Sequence, residues 1–145
     1  MDHNIVPILR AAGQQITVSR FSTAGSIASW MGAIQAQDFN MSKWAFGIRI
    51  RNSTEELINN EIDSGSIVRT HLLRPTWHFA SSKDIRWIID LTAPQIRAAL
   101  KFRDKQLELT EKIYTKCNNI LVKTLSERNH LTRDEVISEL VGSGI

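Results

Sequence analysis

The sequence predicts a mainly α-helical protein with one β-hairpin, arranged as a winged helix-turn-helix followed by a helical connector. Three observations lead there. Apolar residues recur at helical spacing in successive segments near residues 24–34, 41–51 and 54–64. The period shortens to two over residues 67–80, where strand patterns flank Arg74-Pro75. Helical spacing then returns from residue 81 onward.

Each element has its own local reason. Residues 5–12 form a short opening helix, and Thr17 to Thr23 a connector. From Ala24 to Ile34 a helix buries Ile27, Trp30, Met31 and Ile34 as one stripe. Met41 to Arg51 carries Trp44, Phe46, Ile48 and Ile50; its first half suits a helix, its second half alternates, and it is assigned to helix. Ser53-Thr54-Glu55-Glu56 has the capping-box pattern, with Glu56 placed to answer Ser53. The helix it opens is expected to bury Leu57, Ile58 and Ile62, leave its carboxylates in solvent and stop near Gly65.

The strands Ile67–Leu73 and Thr76–Ala80 join through a loop of two residues, Arg74-Pro75, or of four, Leu73 to Thr76. Both lengths set Leu72 opposite Trp77, His71 opposite His78 and Thr70 opposite Phe79. Val68, Leu72, Trp77 and Phe79 then face the core, and Arg69, His71 and His78 form an open face. Ser81-Ser82-Lys83-Asp84 starts a helix burying Ile85, Ile88 and Ile89. Thr92-Ala93-Pro94 restarts the chain into another, with Ile96, Ala99, Leu100 and Leu107 inside. Thr110 caps a helix burying Ile113, Cys117, Ile120, Leu121 and Leu125. Thr132-Arg133-Asp134-Glu135 is a further capping box, and its helix, with Val136, Ile137, Leu140 and Val141, ends at Gly142. The expected division is a first winged-helix domain at 1–80, a helical connector at 81–129, and the first helix of a second winged helix at 130–145.

Composition narrows the function classes. A chain of 145 residues, 42% hydrophobic and 23% charged, fits one domain or one domain and the start of another. A single cysteine, Cys117, excludes an internal disulfide and a cysteine-rich zinc site, and points to a reducing cytoplasm. No signal-peptide pattern opens the chain and no apolar run approaches a membrane span. The net charge of +3 and pI near 9.3 permit nucleic-acid binding without demanding it. A basic run lies at 97–116, either a solvated helix face or a DNA contact. The third helix is acidic, through Glu55, Glu56, Glu61 and Asp63, so phosphates would repel it as a recognition helix.

Gly32-Ala33-Ile34-Gln35-Ala36-Gln37-Asp38 is the stretch that most invites a chemical reading. Gln35 and Gln37 fall where the predicted helix runs out of apolar residues. Glutamine offers donors and an acceptor without charge, which suits holding a water or a polar ligand more than moving protons. Plain solvated or capping glutamines are the alternative. On the hairpin's open face, Arg69, His71 and His78 suit a phosphate or a base, or simply water. The two histidines alone make a weak metal site, since no third ligand accompanies them. Trp30, Trp44, Trp77 and Trp87 each sit in an apolar pattern and are expected in the core rather than as stacking platforms.

Several blocks of the sequence occur together in a recognisable order. They are Gly32 to Asp38, Lys43-Trp44-Ala45-Phe46-Gly47-Ile48-Arg49, Ile67 through Arg74-Pro75-Thr76-Trp77-His78-Phe79, Asp84-Ile85-Arg86-Trp87 and Leu91-Thr92-Ala93-Pro94. They resemble the bacterial winged-helix family that includes the AlkZ-type DNA glycosylases, from about residue 24 to the end. The resemblance implies hydrolysis of the N-glycosidic bond of N7-alkylated or crosslinked purines in double-stranded DNA. It implies no metal, no small-molecule cofactor and no membrane partner. The family's catalytic pattern is Gln, a hydrophobic residue, Gln; Gln35 and Gln37 match it, with Ala36 between them. Gln37 is then expected to position water and Gln35 to support it or touch the sugar. Arg49, Arg51, Arg69, His71, Arg74 and His78 are the candidate DNA contacts. Family members are longer, so the resemblance also implies that the chain is an N-terminal fragment or a truncated member. A non-catalytic winged-helix DNA-binding module or regulator is the other reading.

Overall fold

The computed structural model describes residues 5–74 and 76–145. Two compact units divide the chain, one up to Ile96 and the other Arg97–Ile145. The first unit holds α1 (Ile5–Gly13), α2 (Ala24–Met31), β1 (Ile34–Gln35), α3 (Phe39–Gly47), α4 (Glu55–Asp63), β2 (Ile67–Leu72) and β3 (Thr76–Ser81), and α5 (Ile85–Gln106) begins within it. The strands form an antiparallel sheet in the order β1-β3-β2. Helix, short strand, two helices and a hairpin is the element order of a winged helix.

The helix expected to reach Ile34 stops at Met31. Gly32 adopts φ +74, a conformation that costs glycine little, and its N–H closes the helix on the Ser29 carbonyl. This early stop frees Ile34 and Gln35 to pair with Phe79 and His78 as β1. At its other end, α2 is capped twice. Thr23 accepts from the Ser26 N–H, and the Glu61 carboxylate of α4 accepts from Ala24 N and Gly25 N, both at 2.7 Å. The acidic helix therefore does not leave all its carboxylates in solvent. Glu61 serves the positive end of α2, and Glu55 pairs with the buried Lys43.

Helix α4 is where expected, with two corrections. Its N-cap is Thr54, which accepts from Leu57 N, while the Ser53 hydroxyl turns back to the Gly47 carbonyl. Ile58 is buried and Ile62 packs on the core, but Leu57 stays 52% exposed. Ile58 and Ile62 are one turn apart and share a face that Leu57 borders only at its edge.

The hairpin forms from the expected segments in a different register. Leu72 pairs with Thr76, His71 with Trp77, Thr70 with His78 and Arg69 with Phe79. Residues 73–75 make the connection, with Leu73 at φ +59; Pro75 itself lies outside the described residues. An odd loop shifts the pairing by one residue relative to either even loop, and a one-residue slip exchanges the faces. Ile67, Arg69, His71, Trp77 and Phe79 now share a face, and Val68, Thr70, Leu72, His78 and Ala80 share the other. Both faces bury something. Ile34, Ile67 and Phe79 join Ala24, Ile27, Ala28, Phe46 and Ile58 in the main core, while Leu72 and Ala80 meet Ile88 of α5.

The tryptophans also depart from expectation. Trp30, Trp44 and Trp87 are exposed, and Trp77 is half-buried. The pattern misled because Trp44 and Trp87 stand two residues from the inward Phe46 and Ile85, and such neighbours point away from each other on a helix. Helices begun at Asp84 and at Thr92 were expected separately, but α5 runs on through Pro94. The missing Pro94 N–H leaves the carbonyl of Asp90 unpaired, and Asp90 is exposed, so water can take it. Ile89, Ala99, Leu100 and Leu107, expected inside, are exposed.

The second unit contains the rest of α5, α6 (Glu111–Arg128) and α7 (Arg133–Gly142). Thr110 caps α6, and Thr132 with Glu135 forms the full capping box of α7, both as the sequence predicts. Asn129, at φ +63, ends α6 by donating its N–H to the Leu125 carbonyl. Leu125, Ile137 and Val141, expected inside, are exposed. Among the described residues no helix is long and apolar enough to cross a membrane.

Candidate active site at the sheet edge

Gln35 and Gln37 stand at the free edge of the sheet, where β1 ends and α3 has yet to begin. Ile34 and Ala36, between and before them, are buried in the main core, and the alternation of the pleat turns both glutamines outward. Asp38 starts α3 by accepting from Met41 N at 2.8 Å, so the loop is pinned at both ends. Gln35 is exposed opposite His78 and makes no side-chain hydrogen bond to another described residue.

Gln37 is held differently. Its Oε1 accepts from the backbone N–H of Trp77 at 2.8 Å. The ladder geometry explains why that donor is available. Ala36 N donates to Trp77 O at 2.8 Å, so the returning bond would run from Trp77 N to Ala36 O. Instead, the Ala36 carbonyl accepts from Arg69, from Nε at 3.0 Å and Nη2 at 2.8 Å, and Nη2 also reaches the Gln37 carbonyl at 3.2 Å. The guanidinium lies 4.3 Å from the centre of the Trp77 ring, and His71 stacks on that ring at 3.9 Å. A backbone donor thus fixes which end of the Gln37 amide faces inward. One lone pair of Oε1 and the amide NH₂ remain for a ligand.

The other candidate residues separate into committed and free groups. Arg69, expected on an open face, commits Nε and Nη2 to backbone carbonyls. Arg49 is half-buried and donates to the Gln14 carbonyl, the Gln14 side chain and the Ala45 carbonyl, and burial holds its pKa below the ordinary value. His78, also expected on the open face, is only 8% exposed, with Nδ1 bonded to the Thr76 carbonyl at 2.8 Å. The one-residue slip places His71 and His78 on opposite faces, so they cannot share a metal ion or a phosphate. Arg51, His71 and Arg74 are exposed, and none has an ion-pair partner among the described residues.

Sequence reasoning passed over two participants. Asp38 carried a readable signal, an N-cap residue three positions before Met41 at a helix start. The Trp77 N–H carried none, because a backbone donor has no sequence signature.

The described geometry is accompanied by similarity to known proteins. The family described as DNA glycosylase AlkZ-like matches residues 28–144. A solved structure of Streptomyces sahachiroi DNA glycosylase AlkZ matches the fold with a TM-score of 0.67 at 20% identity. The match covers 92% of this chain and 36% of that one. No curated protein matches the sequence significantly.

Proposed function

Because the chain belongs to the AlkZ-like family of DNA glycosylases, we propose that it contributes the water-positioning site of an enzyme that hydrolyses the N-glycosidic bond of N7-alkylated or crosslinked purines in duplex DNA. The observation that carries this reading is the orientation of Gln37, fixed by the Trp77 N–H at the exposed end of the matched Gln-Ala-Gln segment.

An N7-alkylated purine is already cationic. Breaking C1′–N9 sends the bonding electrons into the base and neutralises it, so no strong acid is needed. The sugar passes through an oxocarbenium-like state, water adds its oxygen to C1′, and a proton leaves to solvent. The protein's task is to place that water and favour the developing positive charge. Gln37 Oε1 accepts a hydrogen bond from the water with the lone pair that Trp77 leaves free, and its dipole faces the cation. Because the amide is oriented before substrate arrives, little reorganisation is needed in the transition state. Gln35, free at the same edge, supports the water or contacts the sugar.

The finer reading belongs to the same proposal. Residues 1–80 are a first winged-helix domain, 81–129 a connector and 130–145 the opening helix of a second, in a cytoplasmic protein. Double-stranded DNA is the partner, met through the exposed Arg51, His71 and Arg74. The exposed Arg51 and Arg74, without ion-pair partners among the described residues, favour a second reading, a winged-helix module that binds DNA without cleaving it.

Single-turnover excision on a defined N7-methylguanine duplex, with the protein expressed from its complete coding sequence, tests the proposal. Gln37→Ala is expected to slow release about 10²-fold while leaving affinity nearly unchanged. Salt-sensitive binding with no release from several N7 adducts would favour the binding module instead.

A further inference from the structure

Arg69 was expected to meet phosphate, yet its guanidinium is turned into the protein. We propose that Arg69 is a positioning residue that keeps Gln37 oriented by withholding the Ala36 carbonyl from the sheet. The inference rests on the water-positioning role of Gln37 for its catalytic consequence, but its structural part stands alone.

The Trp77 N–H has two acceptors within reach of its strand. One is the Ala36 carbonyl, which ordinary antiparallel pairing would select, since Ala36 N already donates to Trp77 O. The other is the Gln37 side chain, which the structure selects. The choice is decided on the neighbouring strand. Arg69 Nε and Nη2 both donate to the Ala36 carbonyl, and Nη2 continues to the Gln37 carbonyl. Both lone pairs of the Ala36 oxygen are engaged, and the loop is drawn over the cation. The ring of Trp77 beneath the guanidinium, with Phe39 at 5.6 Å, holds the fork flat against these carbonyls.

Removing the fork leaves the carbonyl of the fully buried Ala36 without a donor. That oxygen then closes the ladder on the Trp77 N–H, and the Gln37 amide loses its anchor. Lysine keeps the charge but cannot span two carbonyls in one plane, so it rescues only part of the effect. A phosphate-binding arginine behaves otherwise. Its loss lowers affinity and flattens the salt dependence.

Scalar coupling across the hydrogen bond identifies the acceptor of the Trp77 N–H in an isotope-labelled sample of this chain. The wild type should couple Trp77 N to the Gln37 side-chain carbonyl carbon, and Arg69→Met should couple it to the Ala36 backbone carbonyl carbon. An unchanged acceptor in Arg69→Met overturns the proposal. If Arg69→Met does not fold, Arg69→Lys carries the same comparison, with a mixture of the two couplings expected and a wild-type pattern as the refutation. In the excision assay, Arg69→Met should slow the chemical step about 10²-fold, as a small misplacement does, with affinity and salt slope retained. In a Gln37→Ala background it should cost little more. Additive losses, or a loss of affinity with a flatter salt slope, would refute action through Gln37. If the wild type releases no base, the glycosylase reading fails, while the coupling measurement still decides the clamp.

Discussion

Glu61→Ala should destabilise the first unit more than its half-exposed position suggests. Its carboxylate receives the N–H groups of Ala24 and Gly25, each at 2.7 Å, from a helix only eight residues long. A hydrogen bond to a charged group contributes about 1.5–3 kcal/mol. Ala24 is fully buried, so no water replaces Glu61 there, whereas Gly25 is half-buried and recovers part of its loss by hydration. Together with a dipole contribution of about 0.5 kcal/mol, these bring the expected loss to about 3 kcal/mol. Glu61→Gln keeps one acceptor but turns an NH₂ toward the second N–H, which leaves an expected loss of about 1.5 kcal/mol. All four tryptophans lie before Ile96, so their fluorescence in urea reports this unit. The midpoint for Glu61→Ala should fall by about 1–2 M, while Glu56→Ala, on the exposed side, should move it little. A Glu61→Ala midpoint indistinguishable from wild type would refute the capping role.

Ile58→Ala should cost about 3 kcal/mol by the same urea assay and Leu57→Ala under about 1, since only Ile58 is buried; equal losses would contradict the helix orientation. Glu135 is held at a pKa of about 2 by the Thr132 N–H and hydroxyl and by Arg128, against an ordinary 4.5. Its folded pKa is depressed, so its stabilisation of α7 is complete above about pH 4.5 and is lost as pH falls through about 2. A carboxyl carbon titration of Glu135 with a midpoint above 4 would show the capping box to be absent in solution. If the exposed Arg51 and Arg74 meet phosphates, replacing each with Ala should reduce the salt slope of duplex binding by about 1, while Arg49→Ala should leave it unchanged. A slope that follows Arg49 instead would refute this choice of DNA-facing residues.

Much of this protein was legible in its sequence wherever a decision is local. Thr110 and Thr132 start helices because their hydroxyls reach an N–H three residues ahead, and Gly65 marks the end of α4 because φ +73 favours glycine. The two hairpin strands were readable as alternation, and the Gln-Ala-Gln segment was readable as a resemblance. What the tertiary structure alone decided were choices between alternatives that local sterics leave nearly equal. Loops of two, three or four residues all join β2 to β3, yet only the odd loop pairs Arg69 with the buried Phe79, on the face from which Arg69 reaches the Ala36 carbonyl. Trp44 and Phe46 are both apolar, and packing chose which one turns inward. Glu61 read as a solvent-facing carboxylate until the start of α2, 36 residues away at Gly25, claimed it. The orientation of Gln37 hangs on a backbone N–H 40 residues away, and the freedom of that N–H hangs on an arginine 33 residues from Ala36. A single side chain carries no record of such partners, because the energy that selects them belongs to the pair and exists only once the chain has folded.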